Sequence, residues 1–465
     1  MEFSILNHSD VKSENKTFRI DAEFFKREFL DAINIIENCN YSYVDDVTSW
    51  VTQGPNPSFS ESGIPCLTGR NINKGRISYV NPDYVDEDEY LTLSAYQLNI
   101  GDTLITLKGK GSIGKVGYVL GKKQSIFSRD IGVIRPYKIE PGYLNIFIQC
   151  KYGQLLVNRG ETGGTGQSTL TTSYLKSIPV PRFKIEKEIS NALLKVEEFL
   201  QQSENHYLAA EKLIIKALNL ETWEPNNKLA YVKKFSETRS SKRLDAEYYQ
   251  PKYDEILKAI LTHSSGFNKL EMYIDECSTG YPFKSETYTE NGTFLIRINN
   301  IVNGQLDLSN CVKIPNEDRK LSLKDIAKED EILISMSGSI GNACKIPKGV
   351  DAVINQRIFK FKPKNYNIDI LTLIINSVIG KQQLIRIGTG GVQTNISSND
   401  IKKILIPILS QKLQSQIQDK INKSLTFLIK SKNLLECAKR AVEIAIEQDE
   451  ETAIKWYEEN GETGS

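Results

Sequence analysis

The segment RIDAEFF at residues 19–25 returns 224 residues later as RLDAEYY at residues 243–249. Further pairs of segments keep the same order in both halves: LTGRNINKG at 67–75 and IRINNIVNG at 296–304, GSIG at 111–114 and 338–341, and TGG at 162–164 and 389–391. A repeat of this length is longer than a solenoid unit. The sequence therefore predicts two similar domains in one polypeptide, related by an approximate two-fold.

The composition is that of an ordinary globular protein. Its 465 residues are 40% hydrophobic and 25% charged, and no uninterrupted apolar run approaches the roughly 18 residues of a membrane span. The first residues lack the basic and apolar regions of a secretory signal. The seven cysteines are scattered and never spaced as Cys-x-x-Cys, which argues against zinc and a disulfide framework. We therefore expect a cytoplasmic protein without membrane association.

Basic residues are concentrated locally although the net charge is only +1. Six of them, with no acidic residue, lie between Asp102 and Asp130: Lys108, Lys110, Lys115, Lys122, Lys123 and Arg129. Residues 352–367 of the second copy contain four more without an acid: Arg357, Lys360, Lys362 and Lys364. Such blocks indicate either a surface for an anionic partner or simply a solvated basic face.

Near the end of each half the hydrophobic pattern changes to heptads. Residues spaced alternately four and three apart are Ile189, Leu193, Val196, Leu200, Ser203, Tyr207, Ala210, Ile214 and Ala217, then Ile417, Ile421, Ser424, Leu428, Ser431, Leu435, Ala438, Val442 and Ala445. The second series follows the first at a constant offset of 228 residues. This spacing is typical of a coiled coil. We expect the two helices to pair with each other; the alternative is that each covers its own domain.

These patterns predict the α+β class, with two tandem mixed α/β domains separated by two long helices. The helices would form an antiparallel intramolecular coiled coil, and the whole would have a pseudo-two-fold. The predicted segments are an initial segment and first domain at 1–183, a spacer helix at 184–224, a linker and second domain at 225–407, and a second spacer helix with an acidic tail at 408–465.

The segment GKGSIGK at 109–115 satisfies the pattern of a nucleotide-binding phosphate loop. Val116 stands where a Ser or Thr is needed to hold magnesium, and the second copy, SGSIGN at 337–342, lacks the lysine. Other interpretations are a tight glycine turn or a loop that contacts DNA phosphates. The sequence predicts no catalytic residues, metal ligands or cofactor site, and a nucleotide-binding enzyme stays an alternative function.

With this plan, the chain resembles the specificity (S) subunit of type I restriction–modification systems from about residue 19 to 446. The paired segments quoted above carry the resemblance. It implies two target-recognition domains that each read one half of an interrupted double-stranded DNA sequence, and helices that dock two modification (methyltransferase) subunits. Two restriction subunits would join them. The resemblance also implies that adenine methylation and DNA cleavage, with S-adenosylmethionine, ATP and magnesium, belong to the partner subunits.

Candidate DNA contacts follow from the chemistry of the side chains. Phosphate contacts position a protein on DNA, and base-edge contacts specify the sequence; Arg favours guanine, and Asn and Gln favour adenine. The predicted phosphate contacts are Lys108, Lys110, Lys115, Lys122, Arg129, Arg357 and Lys360. The predicted base contacts are Arg70, Asn71, Gln167 and Ser168 in the first domain, and Arg297, Asn299, Gln356, Gln393 and Thr394 in the second.

Positions shared by both copies, such as Asn71 and Asn300, are expected to serve the common fold, because the two domains should read different sequences. Positions that differ within the same loops are the better candidates for specificity. A scaffold protein that does not bind DNA remains a further alternative.

Overall fold

The computed structural model describes residues 19–73, 75–109, 112–163, 168–241, 243–302, 304–309, 311–388 and 394–461. These residues form two compact units. Unit 1 comprises the described residues within Met1–Gln202 and Thr426–Ser465, and unit 2 comprises those within Ser203–Leu425. Both boundaries fall inside long helices.

Unit 1 is built around two small sheets. Its strands are β1 Tyr41–Tyr43, β2 Thr48–Gln53, β3 Ile64–Leu67, β4 Ile72–Asn73, β5 Arg76–Ile77, β6 Asp83–Val85, β7 Thr103–Thr106, β8 Val116–Tyr118, β9 Ile126–Phe127, β10 Ile131–Pro136 and β11 Pro179–Pro181. Its shorter helices are α1 Arg27–Glu37, α2 Val44–Val47, α3 Glu87–Thr92, α4 Pro141–Gln149, α5 Lys151–Arg159 and α6 Thr172–Lys176, with 3₁₀ turns at Gly69–Asn71 and Ser94–Tyr96. One sheet is antiparallel with the order β2-β10-β7-β8; the other has the order β6-β3-β9, in which β3 and β9 are parallel.

The long helix α7, Glu186–Ala217, leads into unit 2. The strands of unit 2 are β12 Phe267–Lys269, β13 Ile274–Ser278, β14 Thr293–Ile296, β15 Ile301–Val302, β16 Gln305–Leu306, β17 Val312–Ile314, β18 Ile332–Ser335, β19 Ala343–Lys345, β20 Ala352–Ile354, β21 Ile358–Pro363 and β22 Leu405–Pro407. Its helices are α8 Phe235–Ser241, α9 Pro251–Leu261, α10 Ile368–Asn376, α11 Val378–Ile387 and α12 Ser398–Ile401, with 3₁₀ segments at Glu247–Tyr249, Leu270–Tyr273, Ser285–Thr287, Ile298–Asn300 and Asn316–Asp325. The long helix α13, Gln411–Glu447, and α14, Glu450–Gly461, follow.

The two units repeat each other strand for strand. The sheets of unit 2 have the orders β13-β21-β18-β19 and β17-β14-β20, with β14 and β20 parallel. The short pairs β1–β11 and β4–β5 recur as β12–β22 and β15–β16. The predicted duplication of a mixed α/β domain is therefore confirmed.

The inner strands β7 and β18 show why these segments become strands. Both are buried at every residue, and their sequences TLIT and ILIS are rich in β-branched side chains, which pack well on a pleated surface. Each leads directly into the glycine-rich loop of its unit.

The repeated RIDAEFF and RLDAEYY segments immediately precede helix α1 in unit 1 and helix α9 in unit 2, and we call them clasps because each ties its segment to a later helix of the same unit. Arg19 donates to Asp21 at 2.7 Å and to the carbonyl of Arg159, the last residue of α5, at 3.0 Å. Arg243 repeats both contacts, to Asp245 at 2.7 Å and to the carbonyl of Ile387, the last residue of α11, at 3.0 Å. The arginine hydrogen bond lowers the pKa of both aspartates. The motif thus recurs because in each unit it ties its own segment to the C-terminal end of a later helix, α5 or α11.

The two long helices pair in both units, as predicted. In unit 1, the first half of α7 shares a hydrophobic core with the second half of α13, and the rings of Phe199 and Phe427 lie 6.0 Å apart. In unit 2, the second half of α7 shares a core with the first half of α13, and the Ser203 and Ser424 hydroxyls are 3.1 Å apart. Pairing of opposite halves is the arrangement of an antiparallel coiled coil.

The predicted seam is correct in position but too narrow. Its buried members are Ile189, Leu193, Val196, Ser203, Ala210, Ile214, Ile417, Ile421, Ser424, Ser431, Ala438, Val442 and Ala445, and its half-buried members are Leu200, Tyr207, Ala217, Leu428 and Leu435. Ala192, Phe199 and Leu434 are buried as well, although they lie outside the heptad series. The helices are also joined to their own domains, since Gly142 N–H donates to Ser190 at 3.0 Å. Each helix therefore pairs with the other and also covers its domain.

The segment expected to be an acidic tail contains α14, which packs on unit 1. Ala453 is fully buried in a small cluster with Ile444 and Ala445. The Glu450 carboxylate accepts from the backbone N–H groups of Lys184 and Ile185, just before α7 begins. Among the described residues, no single helix is long and apolar enough to cross a membrane; α10 and α11 reach that length and composition only together, with a 59° bend between them.

Candidate nucleic-acid interface

In unit 1, the parallel strands β3 and β9 bring two exposed arginines to one edge of their sheet. Leu67 and Phe127, the last residues of these strands, are register partners, and the N–H of Ser128 donates to the carbonyl of Leu67 at 2.8 Å. Arg70 lies in the 3₁₀ turn directly after β3, and Arg129 lies two residues after β9; both are exposed. Because parallel strands end at the same edge, both loops leave the sheet together.

The same edge of unit 2 carries different side chains. Strands β14 and β20 are parallel, and the N–H of Asn355 donates to the carbonyl of Ile296 at 2.8 Å. Asn299 lies in the 3₁₀ turn after β14, and Gln356 lies two residues after β20; both are exposed. The backbone framework is therefore repeated while the exposed side chains change.

The shared asparagines of these turns serve the fold. The Asn71 side chain accepts from the N–H of Thr68 at 2.9 Å and donates to the carbonyl of Ser78 at 3.0 Å. Asn300 makes equivalent bonds in unit 2, at 2.8 and 2.9 Å. Both asparagines are buried, so their amides are occupied inside the protein. We therefore leave Asn71 out of the proposed base contacts.

The GSIG loops are hairpin connections held by a hydroxyl at the end of the preceding strand. In unit 1, Thr106 Oγ1 accepts from the N–H of Lys115 at 3.0 Å and its carbonyl accepts from Gly114 at 3.0 Å. Ser335 accepts in the same way from Asn342 and Gly341, each at 3.0 Å. Gly114 and Gly341 have φ values of 75° and 76°, a backbone conformation that favours glycine.

This geometry contradicts the nucleotide-binding alternative. A phosphate loop cradles phosphate at the N-terminus of the helix that follows it. The described residues after Gly114 instead enter strand β8, and those after Gly341 enter β19. Lys108 and Lys115, which stand on either side of the GSIG loop, are half-buried. Lys110, also predicted as a phosphate contact, lies outside the described residues.

A second loop lies beside each GSIG loop. In unit 1, Thr162 and Thr169 close a hairpin with two backbone hydrogen bonds, at 2.8 and 2.7 Å. The next residue, Leu170, donates to the carbonyl of Leu107 at 2.8 Å. Ser168, a predicted base contact, is half-buried in this loop. In unit 2, Ile396 N–H donates to the carbonyl of Met336 at 2.9 Å.

Of the base contacts predicted in these two segments, Ser168 and Thr394 lie among the described residues. Thr394 is exposed next to the bridge between Ser337 and Asn395. Gln167 and Gln393 lie outside the described residues, so their predicted roles stay predictions.

The loop sets of each unit meet at one edge. Leu107, which begins the GSIG connection, donates to the carbonyl of Asp130 at 2.8 Å, and Met336 donates to the carbonyl of Arg357 at 2.8 Å. Gly54, which directly follows β2, lies against the backbone that follows β9. A Cβ at this position would lie 2.3 Å from the carbonyl oxygen of Ser128, so this close approach requires a glycine. Each unit thus has one surface formed by the turn after the first parallel strand, the loop after the second, and the described parts of the GSIG loop and of the segment beside it. We call it the loop edge.

Of the remaining basic candidates, Arg357 and Arg297 lie at this edge and Lys122 does not. Arg357 is exposed in the loop after β20 and adopts a positive φ of 71°. Lys122 is exposed but precedes β9, so it lies at the end of that strand opposite to Arg129. Arg297 is half-buried, with its guanidinium 5.6 Å from the ring centre of Tyr288. These three remain candidates of unequal accessibility.

The prediction that Lys360 contacts a phosphate is wrong. Lys360 lies within β21 and is only 4% exposed. Its ammonium donates to both oxygens of Glu331, at 2.8 and 3.0 Å, and to the carbonyl of Ile326 at 2.8 Å. All three donors are therefore used inside unit 2, and none is available to DNA.

Two contacts of this region could not be read from the sequence. Asp83, on β6, forms an ion pair with Arg70 across the sheet. Arg76 pairs with Glu197 of α7 at 3.1 Å, and burial nevertheless raises the pKa of Glu197. Asp83 and Arg70 are 13 residues apart and Arg76 and Glu197 are 121 apart, with no periodic pattern linking either pair.

The described residues contain no group of three or more His, Cys, Asp or Glu side chains that could hold a metal ion. Burial raises the pKa of Cys150 and Cys344 to about 12. These two thiols therefore stay protonated near neutral pH and are poor nucleophiles.

Comparison with known proteins gives a consistent picture. The sequence profile of the type I restriction modification DNA specificity domain matches residues 65–210 and 274–442, which together make up more than half of the chain. The chain is 29% identical over 170 residues to the type I restriction enzyme EcoAI specificity subunit of Escherichia coli. This alignment covers 35% of the chain and only 28% of the length of that relative.

Two solved structures are similar at low identity. The S subunit of a type I restriction-modification system from M. genitalium is 14% identical, with a TM-score of 0.36 over 88% of this chain and 96% of that one. The HsdS subunit from Thermoanaerobacter tengcongensis is 13% identical, with a TM-score of 0.28 over 88% and 97%. These scores are too low to establish a common overall arrangement.

Proposed function

The chain belongs to the type I restriction modification DNA specificity family, and from this premise we propose that it is the sequence-specific DNA-binding subunit of a type I restriction–modification complex. Each unit reads one half of a bipartite double-stranded DNA target through its loop edge. The observation that carries this proposal is the duplicated loop edge, in which a repeated backbone framework presents different exposed side chains. Two reading surfaces of that kind suit a target with two different half-sites.

The loop edge combines the two kinds of contact that sequence-specific binding needs. Lys108, Lys115 and Arg357 are positioned for phosphates, which supply affinity without sequence information. Arg70 and Asn299 stand on turns that are hydrogen-bonded by the buried Asn71 and Asn300. Amide and guanidinium groups are the side-chain groups that read base edges. The proposed contacts thus divide between positioning and reading.

The chain itself has no catalytic role in this proposal. Its paired helices dock two modification subunits, and two restriction subunits join that core. Methylation of adenine and cleavage of DNA take place on those partners, which also bind S-adenosylmethionine, ATP and magnesium. The complex acts in the cytoplasm. Family membership supports the DNA-recognition role, while the number and kind of partners are our inference.

The proposal is tested by purifying the chain together with its modification subunits and sequencing the sites that become methylated. We expect methylation at one bipartite sequence, and none when either protein is assayed without the other. If the purified chain alone methylates or cleaves DNA, the proposal fails.

A scaffold without a DNA role is separated from this proposal by the salt dependence of binding. A complex held by phosphate contacts loses affinity steeply as salt rises. The triple variant Lys108→Ala, Lys110→Ala, Lys115→Ala should weaken binding to all sequences without changing the preferred one. The matched triple Lys→Arg variant retains the charges and should bind like the wild type.

A further inference from the structure

We propose that positions 70 and 129 of unit 1, and the equivalent positions 299 and 356 of unit 2, determine which bases each unit accepts. Arg70 and Arg129 would select guanine, whereas Asn299 and Gln356 would select adenine. The inference rests on the proposed function, because it assigns the readers within the same loop edge.

The equivalence of positions 70 and 299 follows from their turns. In unit 1 the N–H of Thr68 donates to Asn71, and in unit 2 the N–H of Arg297 donates to Asn300. In both units the middle of the turn is occupied by an exposed residue, Arg70 or Asn299. A buried asparagine therefore holds the equivalent turn in each unit, and the exposed side chain beside it is what differs between the units.

Positions 129 and 356 are equivalent by the same reasoning. Ser128 donates to the end of β3, and Asn355 donates to the end of β14, each at 2.8 Å. The residue that follows is exposed in both units and is Arg129 or Gln356. Each unit thus presents two exposed polar side chains from neighbouring loops at the ends of parallel strands.

The chemistry of these pairs differs in the way that base recognition requires. An arginine donates two parallel hydrogen bonds to O6 and N7 of guanine. The amide of Asn or Gln donates one bond and accepts one, which matches N7 and N6 of adenine. A pair of arginines on one edge and a pair of amides on the other therefore indicates two half-sites of different composition, the first containing guanine and the second adenine.

Arg70 is also held in place before DNA binds. Its guanidinium is paired with Asp83, whose strand β6 lies beside β3 in the same sheet. A guanidinium has five N–H donors, so an ion pair with one carboxylate leaves donors for a base. Asp83 is thus a positioning residue, which acts on base choice through Arg70.

The inference is tested with the complex of this chain and its modification subunits, on DNA containing randomised half-sites. Arg129→Gln should relax the preference or change it from guanine to adenine at one position of one half-site. Gln356→Arg should make the reverse change in the other half-site. We expect discrimination at the affected position to change by about 10- to 100-fold, with every other position unchanged.

The controls separate reading from positioning. Lys108→Gln, at a proposed phosphate contact, should lower methylation of all sequences equally. Asp83→Ala should weaken discrimination at the position that Arg70→Gln alters, and at no other. The thermal midpoint of each variant is compared with the wild type. Arg70, Arg129 and Gln356 are exposed, so their substitution should not affect folding, whereas Asp83 and Lys108 are half-buried.

Two failures remain distinguishable. If the wild-type complex shows no bipartite preference, the proposed function itself fails. If the wild type is specific but Arg129→Gln and Gln356→Arg leave the preferred sequence unchanged, or lower activity uniformly, these positions do not read bases and only the present inference is overturned.

Discussion

Units 1 and 2 each join a buried carboxylate by an ion pair to the equivalent strand, β10 in unit 1 and β21 in unit 2, but the cation comes from different positions on that strand. The acids occupy equivalent sites, because Asp102 accepts from the N–H of Asn99 and Glu331 accepts from that of Lys328, both at 2.8 Å. In unit 1 the partner is Arg135, at 2.8 Å; in unit 2 it is Lys360, which stands two positions earlier on its strand than the equivalent of Arg135.

The two units therefore share the requirement that the buried carboxylate has a cation within reach, but they do not share the residue that supplies that cation. A buried carboxylate needs a cation and hydrogen bonds, and any neighbouring strand position that can reach it will serve. A difference between the units is therefore evidence for function only where the side chain is exposed, as at Arg129 and Gln356, and not where it is buried, as at Lys360.

The largest effect that can test this comparison is expected from Lys360→Ala. It leaves the Glu331 carboxylate buried without its cation, so the region around β18 and β21 should lose about 3–5 kcal/mol of stability. Because a chain of two units need not unfold in a single step, amide hydrogen exchange of these strands is the appropriate measurement.

The counterpart in unit 1 is expected to be weaker. Arg135 is a quarter exposed, so water can partly replace it; Arg135→Ala should cost about 1–3 kcal/mol around β7.

The double variant Lys360→Met, Glu331→Leu should recover most of the loss in unit 2. Unchanged protection of β21 in Lys360→Ala would show that this ion pair does not fix the strand.

A smaller and equal effect is expected from the shared asparagines. Asn71→Ala and Asn300→Ala each remove two side-chain hydrogen bonds that hold the turn, at a cost of about 1–3 kcal/mol in their own unit. Hydrogen exchange at Ser78 and Asp307 and in the turns would measure it. A loss in one unit only would mean that the two turns are not equivalent, which would also weaken the assignment of Arg70 and Asn299.

A smaller loss of stability is expected from a substitution in the seam of the helix pair in unit 2. Ser203 donates to the carbonyl of Ser424 at 2.8 Å, and both serines are buried. Ser203→Ala should cost about 1 kcal/mol, measured from the protection of the neighbouring amides of α7. The double variant with Ser424→Ala should cost little more, since the second hydroxyl loses its main partner in the first substitution.

The smallest effect is expected at the clasps, and it depends on pH. The arginine hydrogen bonds lower the pKa of Asp21 and Asp245, so their contribution to stability is present above the usual value of 3.8 and is lost as pH falls through the lowered pKa. Both carboxylates are about half exposed, so the contribution of each should stay below about 1 kcal/mol.

The pH dependence is checked by comparing the thermal midpoints of the wild type, Asp21→Asn and Asp245→Asn. The difference from the wild type should shrink from about pH 5 to about pH 3, and by a similar amount for both variants. A difference that is constant with pH would mean that the charge of the aspartate does not contribute.

Much of the fold could be predicted because repetition and periodicity are visible in the sequence. RIDAEFF and RLDAEYY gave the duplication, and the heptads gave the helix pair. The position of the loop edge followed in outline, since Arg70, Arg129, Asn299 and Gln356 were all among the candidates. What the sequence conveyed was the order of elements and the faces they present.

The rest depends on contacts between distant positions. Lys360 looked like part of an exposed basic block because no acid lies between residues 352 and 367, while its partner Glu331 stands 29 residues before it. The burial of Asn71 depends on Ser78, which folds back over the turn. The seam was drawn too narrow because heptad spacing describes one line of contacts, and Phe199 and Leu434 lie outside that line but are buried in the same core.

Unit 1 is discontinuous in sequence, whereas unit 2 is a single stretch, Ser203–Leu425. During synthesis, a ribosome delivers every residue of unit 2 before it reaches Thr426, and domains generally fold as their residues emerge. The nascent first unit must instead wait for α14 and the second half of α13 to cover its exposed apolar helix. We therefore expect the half that is translated first to mature last, and to be the half that depends on chaperones.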